Sequence, residues 1–234
     1  MPWRFLTGWS PAVIEQQRRL LAARPVADPA LAALITPEVR PAPGWTVDHT
    51  GALLGYEPPG PPLPDGRFAR TRRAIIGYRF ADPRITQGHF DADAPLLGRD
   101  ILVDIRVPGL RVLGAVRVGA VIDDAPCGTL VPLTPDHGTT SAPDGPADAP
   151  AAGRTRFGVR MDSLSGHLLT GAEWLSITKD HRTGAVRCSI DVQWRLGRLP
   201  TWWMGLGFRL LGRQFQQRWR RQAIRRLRAL GDAP

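Results

Sequence analysis

Val186-Arg187-Cys188-Ser189-Ile190-Asp191-Val192-Gln193-Trp194-Arg195 is the stretch that decides the fold. Val186, Cys188, Ile190, Val192 and Trp194 fall on one face, and Arg187, Ser189, Asp191, Gln193 and Arg195 on the other. A period of two with one apolar face marks an antiparallel strand that covers a core on one side. Just upstream, Glu173-Trp174-Leu175-Ser176-Ile177-Thr178-Lys179 reads as its hairpin partner. The connection Asp180-His181-Arg182-Thr183-Gly184 carries turn residues and a glycine that takes positive φ without strain. Downstream, Gly197 and Pro200 lead into a long arginine-rich helix from about Thr201 to Leu230, with Gly231 as its expected C-cap. At 100° per residue, Phe208, Leu211, Gly212, Phe215, Trp219, Ala223 and Leu230 share one stripe. Arg209, Arg213, Arg218, Arg220, Arg221, Arg225 and Arg228 cover the rest, while Arg226 projects from the apolar stripe.

Other strands precede this hairpin. Arg73 to Phe80 is strand-like, and Asp82-Pro83 opens a short helix or turn. Asp100 to Val107 alternates, with Ile101, Val103, Ile105 and Val107 on one face. Pro108-Gly109 is a turn into a strand from Leu110 to Ile122, and Arg156 to Asp162 is a further strand. The expected fold class is therefore α+β: an antiparallel sheet of about six strands gripping a long C-terminal amphipathic helix. Helices do not alternate with strands, so a parallel α/β sheet is disfavoured. The sheet and last helix make a domain over residues 67–231, with residues 135–153 expected to form a disordered loop. Residues 1–66 read as an N-terminal extension. A helix over residues 10–24 has Ser10 as N-cap, Pro11 at its first position and Trp9 able to staple onto Ile14. A second short helix starts at Asp28-Pro29 and ends before Pro37. The Pro- and Gly-rich residues 37–66 read as an irregular linker or surface wrap.

Composition narrows the function. The chain has 234 residues, 43% of them hydrophobic, enough for a real core. It contains no run of eighteen apolar residues and no N-terminal pattern of a secretory signal, so a cytoplasmic location is expected. Cys127 and Cys188 show no motif and read as buried, reduced thiols. The net charge is +10, and residues 201–234 hold eight arginines against one acid. Lys179 is the only lysine, an arginine bias that a GC-rich genome alone would produce. No aromatic side chains interleave with the arginines as a stacking platform requires. The arginine face therefore reads first as solvated, and second as a surface for nucleic acid or anionic lipid. GxxxxGK[ST], GxSxG and HExxH are all absent. The histidines at 49, 89, 137, 167 and 181 lack metal-ligand spacing. No cofactor or metal is expected on these grounds.

The segment Leu164-Ser165-Gly166-His167-Leu168-Leu169-Thr170-Gly171-Ala172-Glu173-Trp174-Leu175-Ser176-Ile177 resembles the uncharacterised protein family 0548, the domain of unknown function DUF1990. The shared pattern is a Gly-His, a Gly four residues after the His, acids directly after it, and a strand. A charged turn, an alternating strand and a basic C-terminal helix through Gln216, Trp219 and Arg226 complete it. The resemblance is strongest over residues 164–230. Ala172 stands where the pattern has its first acid, which leaves Glu173 alone. The resemblance implies the domain type and no established activity.

One constellation carries candidate chemistry. Glu173 shares parity with Leu175 and Ile177, so its carboxyl should point into the core, where an isolated charge is costly. His167 lies on the loop before that strand, at the rim of any pocket between sheet and helix. Trp194 and Arg226 face the same space. Three readings follow. In the first, Glu173 is a strut paired with Arg226 or Arg99, and His167 closes a turn. In the second, His167, Glu173, Trp194 and Arg226 contact a small apolar or amphipathic ligand. In the third, His167 and Glu173 are an acid–base pair.

Overall fold

Alternating strands pair antiparallel along most of the chain. The computed structural model describes residues 3–5, 8–33, 44–107, 110–124, 153–197 and 202–232, with the last helix's side chains described mainly from Gln214 onward. In chain order the elements are β1 (Trp3–Phe5), α1 (Pro11–Arg19), a 3-10 turn (Pro29–Ala33), β2 (Thr46–Tyr56) and α2 (Arg67–Ile76). Then follow β3 (Thr86–His89), β4 (Asp100–Val107), β5 (Leu110–Asp123), β6 (Arg154–Ser163), β7 (Leu169–Asp180), β8 (Ala185–Leu196) and α3 (Trp202–Asp232). The sheet runs β2-β8-β7-β6-β5-β4-β3, with β1 added against β5 off that path. All its pairs are antiparallel, as expected for an α+β fold.

The β7–β8 hairpin forms in the register that the alternation implies, with Glu173 opposite Val192 and Leu175 opposite Ile190. Its turn is closed by Asp180, whose Oδ1 accepts from the Thr183 amide at 2.8 Å, and Gly184 takes φ +71°. Val186, Cys188, Ile190 and Val192 are buried and Arg187 is exposed. Cys188 is a free thiol whose pKa burial pushes up to about 12, so it is inert.

Two segments differ from expectation. Arg73 to Phe80 was expected as a strand, yet Arg67–Ile76 is helix α2. Its buried residues Phe68, Thr71, Ala74 and Ile75 have helical spacing. Residues 37–66 were expected as a linker, yet Thr46–Tyr56 forms edge strand β2 along β8, from Thr46 opposite Trp194 to Tyr56 opposite Ala185. One side of β2 has no partner strand, so its residues alternate little between apolar and polar. The short β3 was also unforeseen, and it makes seven strands in the path instead of six. The expected turn at Pro108-Gly109, the loop at 135–153 (apart from Gly153) and Cys127 lie outside the described residues.

The sheet is covered on both faces. On one, α2 and α3 close over Ile101, Val103, Ile105, Val118, Phe157, Met161, Leu175, Ile177, Ile190 and their neighbours. On the other, Leu21, Leu102, Leu113, Ala115 and Leu164 form a second core, with Trp9, Val13 and Ile14 packed against it. The one-sided sheet expected from β8 therefore does not extend to β4, where Ile101 to Ile105 are all buried. Alternate residues of β4 serve the two cores. Helix α1 keeps its expected start, with Ser10 Oγ accepting from the Val13 amide, but ends at Arg19 instead of residue 24.

A buried ion pair ties β2 to the helical layer. Lys179 Nζ donates to Glu57 Oε2 at 2.7 Å and to the Pro61 carbonyl at 2.9 Å. The other oxygen of Glu57 accepts from the Phe68 amide at 2.6 Å and so caps the N-terminus of α2. The only lysine of the chain is thus fully buried.

Helix α3 continues through Gly231, which was expected to end it. The Gly231 carbonyl accepts two bonds from the Arg70 guanidinium, which joins the two helices. Its most buried face is Ala223, Ile224 and Leu227, rotated from the expected stripe; Phe215 and Trp219 are only half-buried. Leu211 and Phe208 fall outside the described side chains. Among the described residues no helix is long and apolar enough to cross a membrane.

Candidate functional site

Between the sheet and α3 lies a cavity of about 150 Å³. Val103 and Ile105 of β4, Val116 of β5, Met161 of β6 and Val192 of β8 line its apolar floor. They face inward because each sits on the helix-facing parity of its strand. Phe215 and Trp219 from α3 and Trp194 from β8 add aromatic walls. The Trp219 indole N–H donates to Thr86 Oγ1 at 3.0 Å, and the Trp194 indole N–H donates to Asp48 Oδ2 at 3.2 Å. Both rings are held by bonds to neighbouring strands, and the half-burial of Trp219 follows from its place on the cavity wall.

Three of the four expected contact residues meet here: His167, Glu173 and Trp194 all line the cavity. Arg226 does not. Its Nε donates to the Arg79 carbonyl at 3.2 Å, outside the site. The cation near Glu173 is instead Arg220, which was expected in solvent. Arg220 is buried and pairs with Asp48 Oδ2 at 3.4 Å. Arg99, the other suggested strut, spends its guanidinium on the carbonyls of Ile76, Ala92 and Ala94. The arginine face is thus partly an internal device, since Arg228 also donates to the Leu53 carbonyl at 2.7 Å. Arg218, Arg221 and Arg225 are exposed.

Glu173 points inward as strand parity requires. No described residue forms a hydrogen bond or ion pair with its carboxyl. Burial pushes its pKa up to about 8, against a smaller lowering by Arg220, so the group is mostly protonated at neutral pH. Tyr78 stands nearby, its hydroxyl held above the usual range by burial and then by the charge of Glu173. Burial lowers the His167 pKa to about 4, opposed by its bond to the Leu169 backbone. At neutral pH the cavity therefore presents a protonated acid, a neutral imidazole and a phenol, beside the Arg220 guanidinium that pairs with Asp48.

His167 is held tightly. Its Nδ1 lies 3.1 Å from both the carbonyl and the amide nitrogen of Leu169. Its opposite edge rests on β5 at Gly114, where a Cβ would come within 2.7 Å of Nε2. A glycine in mid-strand is the sequence signal for that close approach. Neither ring nitrogen is paired with Glu173, so the expected acid–base couple is not assembled. Among the described residues no group of His, Cys, Asp and Glu is arranged to hold a metal ion.

Tyr78 is the site residue that sequence reading missed. It follows α2 with φ +53°, the left-handed region that favours glycine. Its amide donates to the Ile75 carbonyl and the next amide, of Arg79, donates to the Ala74 carbonyl, a helix-ending pair of bonds. A tyrosine in that position costs roughly 1 kcal/mol. The same backbone conformation delivers its ring to the cavity. The signal was an aromatic residue directly after Gly77, visible only once α2 is read as a helix.

The family model described as "Domain of unknown function (DUF1990)" matches residues 31–226, a far wider span than the resemblance over 164–230. No curated protein matches the sequence. Among solved structures, that of Ara h 8.0201 is similar over 80% of this chain and 98% of its own, at 11% identity and a TM-score of 0.40. An uncharacterized protein from Rhizobium leguminosarum matches over 80% and 97%, at 11% identity and a TM-score of 0.33. The Mll3558 protein from Rhizobium loti matches over 80% and 97%, at 12% identity and a TM-score of 0.32. Likeness at these scores says nothing about ligand or chemistry.

Proposed function

The chain belongs to the DUF1990 family, a domain of unknown function, and for this member we propose a binding role: it holds a small, largely apolar ligand with one polar end between the sheet and α3. One observation carries the reading. A largely apolar cavity contains a carboxyl group to which no described residue gives a hydrogen bond or ion pair, and its surroundings raise its pKa to about 8. A ligand's polar end supplies the missing partner. The volume of about 150 Å³ restricts the ligand to a small molecule, since drug-sized pockets begin at roughly 300 Å³. The polyanion-binding reading loses support, because Arg220, Arg226 and Arg228 are engaged with the protein's own Asp48, Arg79 and Leu53.

The test uses 3,3-dimethylbutan-1-ol, a compact alcohol with a bulky apolar end. Trp194 and Trp219 on the cavity wall make tryptophan fluorescence the readout. Saturable quenching or enhancement is expected for the parent. Val103→Phe fills the floor and should abolish it while the circular dichroism spectrum is retained. An equal response from parent and Val103→Phe would place the binding elsewhere.

A further inference from the structure

We infer that the ligand of this cavity is a small organic cation of the alkylammonium class. The inference rests on the cavity being a binding site and adds the charge of its occupant. Two features point to it. The first is the balance of charge. Among the described residues, the charged and titratable groups that line the cavity with Glu173 are Tyr78 after α2, His167 before β7 and Arg220 from α3, and Asp48 from β2 pairs with Arg220. Arg220 is already matched to Asp48 at 3.4 Å. That leaves Glu173 as the acid of the cavity with no ion pair of its own: once ionised, it has only the weaker influence of Arg220. An anionic ligand would have to compete with Asp48 for Arg220 and would meet a second acid. A cation completes the count.

The second feature is the composition of the walls. Tyr78, Trp194, Phe215 and Trp219 all line the cavity, together with aliphatic side chains of the sheet and the polar groups of Thr86, Ser163, His167, Glu173, Gln216 and Arg220. Aromatic walls beside one carboxylate are the arrangement that recognises alkylated ammonium groups, because ring faces attract a cation that cannot be solvated by hydrogen bonding. The indole N–H groups of Trp194 and Trp219 are turned to Asp48 and Thr86, so neither presents a donor to repel a cation. The positive-φ backbone of Tyr78 brings a fourth aromatic ring to the same space.

Binding then has a proton balance. At neutral pH the carboxyl is protonated, and a cation seated beside it favours the ionised form. Each binding event therefore releases a proton to solvent below about pH 8.

The test pairs choline with 3,3-dimethylbutan-1-ol, which has the same shape with carbon in place of the charged nitrogen. Isothermal titration at pH 7 in two buffers of different ionisation enthalpy gives affinity and proton release together. Choline is expected to bind at least tenfold more tightly than the alcohol and to release close to one proton. Glu173→Gln should remove the preference and the proton release while still binding the alcohol. Binding of the alcohol at least as tightly as choline, or a choline affinity unchanged by Glu173→Gln, overturns the cation assignment and leaves the cavity reading intact. Failure of both probes to bind overturns the two together.

Discussion

Replacing Glu173 by Gln should stabilise the protein, by an amount that grows with pH. The substitution keeps the shape of the side chain and removes its titration. In the native protein the carboxyl holds its proton to about pH 8, whereas an unperturbed glutamate releases it near 4.5. Between those values the folded state binds more protons than the unfolded state. Stability contributed by the protonated group is therefore fully present below pH 4.5 and is lost as pH rises through 8. At 1.36 kcal/mol per unit, the full window is worth about 5 kcal/mol, and about 3 of that has accrued by pH 7. Urea denaturation followed by tryptophan fluorescence, at pH values from 4 to 9, gives the two curves. The parent and Glu173→Gln should agree near pH 4 and diverge steadily, with the variant more stable on the alkaline side. Parallel curves, or a variant less stable at pH 8, would refute the reasoning. They would mean that Glu173 is ionised and paired, the strut it was first expected to be.

Other outcomes follow from individual contacts. Lys179→Met strands the Glu57 carboxylate in the interior and should cost about 3–5 kcal/mol in chemical denaturation, most of it recovered by the double change with Glu57→Gln. His167, half-buried on the cavity wall, is neutral with a pKa near 4, below its ordinary 6.5, so its contribution is present above pH 6.5 and lost as pH falls toward 4. A His167→Asn variant should lack that acid-side decline, which the same pH series measures. Gly114→Ala places a methyl against the His167 ring and should cost about 1–3 kcal/mol, less in the background of His167→Ala. Changing Arg218, Arg221 and Arg225 together to Gln should leave the melting temperature nearly unchanged, since surface changes usually stay within about 0.5 kcal/mol each.

The hairpin was legible because β8 has one face on the core: Val186 to Val192 alternate with Arg187 to Asp191 in the sequence as they do in space. Glu173 could be placed inward by the same rule. The strand β2 was hidden by its position at the sheet edge, between proline-rich neighbours, where Asp48, His49 and Thr50 need no apolar alternation. Helix α2 was obscured because Arg73 to Phe80 joins its last turn to the turn that ends it, and only the spacing back to Phe68 and Thr71 reveals it. The partners of the site were harder still. Arg226 and Arg220 both lie on α3, and which one approaches β7 depends on how the helix is rotated on the sheet. The buried stripe of Ala223, Ile224 and Leu227 sets that rotation, and short apolar residues among arginines give a weak signal in sequence. Tyr78 depended on both errors, since it sits in the turn that ends α2 and faces Glu173 on β7.

The binding cavity is tested most directly by a methyl nuclear magnetic resonance titration of the full chain with 3,3-dimethylbutan-1-ol. Saturable shifts concentrated at Val103, Ile105, Val116, Met161 and Val192 are expected, with the second core at Leu21, Leu113 and Leu164 unmoved. Shifts scattered over exposed groups such as Leu20, Val47 and Leu63, or no saturable shift at the five cavity residues, would contradict it.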